Sequence, residues 1–133
     1  MEEQGGSNHW VALGNRAWHI ETIWRAALDL PVQEVPIDAI REIDEDCWFD
    51  GRPATVRAVV DHARRIGDAD LAVPVILASD GQVLDGMHRI AKAILDGRSS
   101  VAAQRLATDP DPDWIRPGKP SQCGDSGGPA GTR

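Results

Sequence analysis

The sequence predicts an α+β domain in which a small mixed β-sheet carries packed helices. Three observations predict it. Three stretches repeat apolar residues at helical spacing. Short apolar runs bounded by turn residues separate them. The 133 residues suffice for one hydrophobic core and are too few for two ordinary domains. Hydrophobic residues at 41% and charged residues at 26% make a normal globular mixture.

The elements follow in chain order. Residues 1 to 15 are polar and glycine-containing and are expected to form a flexible N-terminus. Their opening, MEEQGGSNHW, has neither the basic flank nor the apolar centre of a signal peptide. The domain proper is expected over residues 16 to 107. From Arg16, RAWHIETIWRAALDL sets Ile20, Ile23, Trp24, Ala27 and Leu30 near one helical stripe, and Pro31 stops it. VQEVPIDAI reads as a short strand in which Pro36 favours an edge or a strand start. The acidic REIDEDCWFDGRP reads as a loop.

ATVRAVVDHARRI is the clearest helix, with Val56, Val59, Val60, Ala63 and Ile66 in helical register and Pro53 suited to its start. An apolar strand, an Asp80–Gly81 turn and a short strand from Gln82 to Leu84 come next. A last helix places Met87, Ile90, Ala91 and Ile94 on one face, with Gly97 set to end it. SSVAAQRLA closes the domain as a strand. Residues 108 to 133 hold five prolines and five glycines and are expected to be a disordered tail, with Trp114 able to dock on the body.

The formal charge of −7, from 21 acidic and 14 basic residues, argues against non-specific binding to DNA or acidic membranes. No apolar run approaches the roughly 18 residues of a membrane span. Cys47 and Cys123 lie far apart and make neither a disulfide framework nor a zinc site, so unpaired thiols in a reducing cytoplasm are expected.

One stretch carries more chemistry than the rest. In VLDGMHRIAKAIL, residues 83 to 95, an apolar run ends in Asp-Gly just before a histidine, an arginine and a helix. A helix start presents unpaired backbone N–H groups and the positive end of the helix dipole, which together suit an anion. Gly86 permits close backbone approach, Arg89 can grip a phosphate with two N–H groups, and His88 can donate a hydrogen bond or move a proton. Asp85 can cap the helix, hold Arg89 or accept a proton. The plainer alternative is an Asp N-cap with Arg and His facing water.

In order with its flanks, VPVILASDGQVLDGMHRIAKAILDGRSSVAAQRL resembles the ParB/sulfiredoxin superfamily. There a strand pair leads into a Gly-x-[His/Arg]-Arg helix start. DGMHR is similar to the DGHHR type of kinases that phosphorylate free serine and to the phosphate-binding GERR type of ParB partition proteins. VPIDAI and ATVRAVVDHARRI fit the preceding strand and helix, so the likeness covers roughly residues 33 to 106.

The resemblance implies that Gly86, Met87, His88 and Arg89 form the loop that holds nucleotide phosphates, with Mg2+ and ATP, ADP or CTP as cofactors. It also implies a kinase or NTPase acting on a small hydroxyl-bearing metabolite, with Asp85 and His88 in the catalytic group. The family's base follows the first strand, where this chain offers Glu42, Asp44, Glu45 and Asp46. Glu45 is favoured and Glu42 comes next, against the alternative of a merely solvated acidic loop. The departures are equally informative. Met87 stands where sulfiredoxins carry a catalytic cysteine, and a thioether cannot attack as a thiolate does. No DNA-reading region follows the domain, so DNA clamping is not expected.

Two readings of a different class stay open, a non-catalytic nucleotide- or anion-sensing module and a ParB-type DNA partition protein. A homodimer is compatible with either. Among the other residues, His62 reads as a surface histidine and Trp18 and Trp24 as core or interface anchors. Trp48 and Phe49 read as either a lid or a core plug.

Overall fold

A computed structural model describes residues 9 to 117 and 125 to 127. Its strands are β1 Trp10–Leu13, β2 Arg16–His19, β3 Gln33–Pro36, β4 Val75–Leu77, β5 Val83–Asp85, β6 Ser100–Arg105, β7 Trp114–Ile115 and β8 Asp125–Gly127. Helices are α1 Ile20–Ala27, α2 Val56–Asp68 and α3 Met87–Leu95, with short 3₁₀ turns at Ile37–Ala39 and Arg41–Asp44. The α+β class is therefore as expected, but the strands form two sheets where one was expected.

The first sheet runs β7-β2-β1-β8 and the second β3-β6-β4-β5. In the second, β4 and β6 are parallel while β3–β6 and β4–β5 are antiparallel. Pro36 ends the edge strand β3, where its missing N–H disturbs no central ladder.

The first sheet corrects the reading of both ends. Residues 10 to 13, expected to be flexible, pair with residues 16 to 19, expected to be helical. The signal was present but short. WVAL and RAWH flank Gly-Asn, and Gly14 takes a φ of +62°, as the first place of a two-residue hairpin turn can require. Strand pairing wins over the helical stripe because both faces of β2 are covered, with the successive residues Ala17 and Trp18 both buried.

Residues 109 to 116, expected in the disordered tail, are bonded to that hairpin. Trp114 and Ile115 pair with Ala17 and Arg16. The fully buried Trp18 donates its indole N–H to the Pro110 carbonyl at 2.9 Å. Asp109 receives Arg16 at 3.1 Å and the Ser79 amide at 2.8 Å. Asp113 accepts from the Thr22 hydroxyl at 2.7 Å and the His19 amide at 2.9 Å, which ties this segment to the start of α1. Pro110 and Pro112 keep regular structure here to the two residues of β7 but do not prevent docking onto a body formed elsewhere.

Two apolar clusters form the core. One joins the β1–β2 hairpin and α1 to Ile76, Ala78, Leu84 and Leu106. The other packs α3, through Ile90 and Ala93, on Val75, Leu77, Val83, Val101 and Ala103. Strand β4 serves both, since successive side chains point to opposite faces. Lys92 donates to the Gly67 and Ala69 carbonyls at 3.1 and 2.8 Å and thereby closes the C-terminal end of α2.

Among the described residues no helix is long and apolar enough to cross a membrane. Cys47 is disulfide-bonded, which corrects the expectation of unpaired thiols. Cys123 lies outside the described residues.

Asp113 gives a pH test of the docked segment. The Thr22 hydroxyl, and after it the His19 amide, hold its carboxyl below the usual value of 3.8. A depressed folded value means the contribution is present above pH 3.8 and is lost as pH falls below it. Asp113→Ala should cost a few tenths of a kcal/mol, up to about 1, at pH 7 in urea unfolding, since its hydrogen bonds are exposed and screened by solvent, and the gap to wild type should close in acid.

Candidate functional site

The geometry of the motif begins with a contact inside the protein. Gly86 precedes α3 with a φ of +119°, a region that residues with a Cβ rarely adopt. A Cβ there would lie 2.6 Å from the Cγ1 of Val75 and 2.8 Å from its Cβ. The glycine is therefore required by the packing of the turn against β4, whether or not a ligand approaches it. The first helical bond runs from the Ile90 amide to the Gly86 carbonyl at 3.0 Å. The amides of Met87, His88 and Arg89 precede that ladder and belong to the anion-attracting end of the helix.

Arg89 turns inward. Its guanidinium donates to the Pro74 carbonyl at 2.7 Å and the Val73 carbonyl at 3.1 Å, and pairs with Asp85 at 3.3 Å. The two side chains are only 14% and 17% exposed, so this pair is screened far less than a surface one. Trp24 donates its indole N–H to the same Asp85 carboxylate at 3.0 Å. Trp24, expected as a core or interface anchor, is 36% exposed and donates through its polar edge. Three elements, α1, β5 and α3, thus meet at one carboxylate.

His88 faces another way. Its Nε2 lies 2.9 Å from the Nδ1 of His62, and the rings are 15° from coplanar. One nitrogen of that contact must donate and the other accept, so the pair holds at most one positive charge in this geometry. The positive end of the α3 dipole also disfavours a second. Trp48 stacks on both imidazoles, at 4.5 Å from His62 and 4.7 Å from His88, and Phe49 meets His62 edge-on at 5.5 Å.

The loop that carries these rings is held by Asp46, which accepts from the Phe49 and Gly51 amides at 2.8 Å each. Those bonds, Gly51 foremost, hold the Asp46 carboxyl below its usual value. Trp48 and Phe49 are half-buried. They form an aromatic cover on the histidine pair.

Two of the expected acids have partners of their own. Glu42, the buried charged residue of the described chain at 2% exposure, accepts from the Val83 amide at 2.8 Å. Glu45 pairs with Arg41 at 3.4 Å. The structure therefore joins Asp85 to Arg89 within the predicted set and joins His88 to a residue outside it. His62 was missed because a helical wheel locates a face but not the element that covers it. The one available signal is its i, i+4 spacing with Ile66 on the half-buried side of α2.

Among the described residues no group of three or more His, Cys, Asp or Glu could hold a metal ion. Comparison with protein-family models, curated proteins and solved structures gives no match.

The Asp46 bonds set the order of the aromatic cover. In Asp46→Ala the Phe49 and Gly51 amides should exchange with solvent faster by hydrogen-exchange NMR, while the Ile90 amide should keep its protection. Equal loss at Ile90 would mean that the loop supports the whole of α3.

Proposed function

We propose that residues 33 to 106 form a nucleotide- or anion-binding domain of the ParB/sulfiredoxin-like type, with the phosphate seated at the Gly86–Met87–His88 turn. The observation that carries this reading is the placement of His88. It stands half-buried in the first turn of α3, beside the amides of Met87 and Arg89, with an aromatic ring stacked over it. A backbone amide cluster at a helix start, a polarisable imidazole and an adjacent indole suit a phosphate that carries a planar base. Arg89 serves this site by holding the turn in shape through the Val73 and Pro74 carbonyls, not by gripping the ligand.

A binding module is favoured over a phosphotransferase because the acids are engaged. Asp85 is shared by Arg89 and Trp24, and Glu45 by Arg41. Among the described residues no group of three or more such side chains is gathered to hold magnesium. One observation supports the catalytic alternative: the buried Glu42 sits on Val83, in the strand that leads into Gly86. Release of ADP from ATP in the presence of serine, lost in Glu42→Gln, would establish it. The expected cytoplasmic location stands against the Cys47 disulfide, since reducing compartments seldom keep such bonds.

Calorimetric titration with ATP, ADP and CTP tests the reading. Micromolar binding, about −8 kcal/mol, is expected from at least one nucleotide. His88→Ala should weaken it by about tenfold, or about 1.4 kcal/mol. No heat with any of the three ligands would overturn the proposal. Arg89→Ala is the less informative variant, because it removes the contacts that shape the turn.

A further inference from the structure

Helix α2 leaves its apolar stripe uncovered. Val56 is 81% exposed, Val59 48% and Val60 47%, and no residue of the 13-residue helix is fully buried. The half-buried side of the helix, marked by His62 and Ile66, lies toward α3, where His62 meets His88. Val56, Val60, Ala63 and Gly67 recur at helical spacing on a different side, open to solvent. A helix inside a single domain normally turns such a stripe to the core, and a run of exposed apolar residues marks an interaction surface.

We propose that this face pairs with the same face of a second copy of the chain, the two α2 helices running antiparallel. The occupant follows from self-complementarity. Around a two-fold axis near Asp61 and His62, Val60 meets the partner's Ala63 and Val56 meets the partner's Gly67, so that each large side chain faces a small one. The flank next to the stripe carries Arg57 and Arg64 together with Asp61 and Asp68, all exposed. In the antiparallel arrangement this flank faces its own copy. Arg57 falls within one turn of the partner's Asp68, and Arg64 within one turn of the partner's Asp61. A parallel arrangement would turn the two flanks to opposite sides of the pair and lose that pairing. The contact is short, about 20 Å of helix, and smaller than the standard interface of about 800 Å² per partner. The dimer is accordingly a dynamic one that dissociates in the micromolar range or above.

Sedimentation equilibrium of the full 133-residue chain over a range of concentrations tests this. Wild type should show a monomer–dimer equilibrium, and Val60→Asp should weaken it at least tenfold. Circular dichroism should show that variant folded, because Val60 is half exposed in the monomer. Arg57→Asp and Asp68→Arg should each weaken the dimer, and the double variant should recover most of the loss. A monomer at every concentration overturns the proposal. So does a dimer indifferent to Val60→Asp, which would use another face, or a double variant that fails to recover. A monomer that binds anionic phosphatidylserine vesicles through α2 would assign the stripe to a lipid surface instead.

Discussion

The rest of the structure depends on how closely the turn at Gly86 approaches strand β4. With no Cβ at that position the backbone lies against Val75, and a single added methyl group would sit 2.6 Å from a valine carbon. That approach lets α3 start directly after β5 and drop Ile90 and Ala93 into the cluster with Val75, Val83 and Val101. The buried face of α3 rests on it. The cost of any side chain at position 86 combines backbone strain with overpacking, each of order 1 to 3 kcal/mol.

Once the turn is fixed, its polar side chains divide the labour. Asp85 and Arg89 look inward and tie α1, β5 and the segment before β4 into one network. His88 looks toward α2 and the aromatic loop. A helix start whose arginine and histidine are both held by neighbouring elements has a rigid frame. Rigidity suits binding, because the amides at the helix start need no reordering when an anion arrives. It suits phosphoryl transfer less, since the neighbouring carboxylates already have partners.

The sequence made the second sheet largely legible and the first hardly at all. Strand β3 with its Pro36, helix α2 with its Thr55 cap accepting from Ala58, and the β4–β5–α3 order all follow from local patterns. The β1–β2 hairpin did not, because its strands are four residues each and its second strand overlaps the helical stripe that continues into α1. The docking of residues 109 to 116 was also out of reach, as it rests on contacts between residues more than 90 apart, such as Trp18 with Pro110. At the site, the turn itself was readable from DGMHR. The His62–His88–Trp48 stack joins α2, α3 and a loop, so no local window contains it.

That the turn at the start of α3 binds phosphate is tested most directly by ¹H–¹⁵N NMR of the labelled protein during titration with inorganic pyrophosphate. The proposed site predicts saturable shifts in the Met87, His88 and Arg89 amides and in the Trp48 indole N–H, with α1 and the β1–β2 hairpin unmoved. Shifts that centre elsewhere, or none at all, would contradict it and leave Gly86 as a glycine required by packing alone.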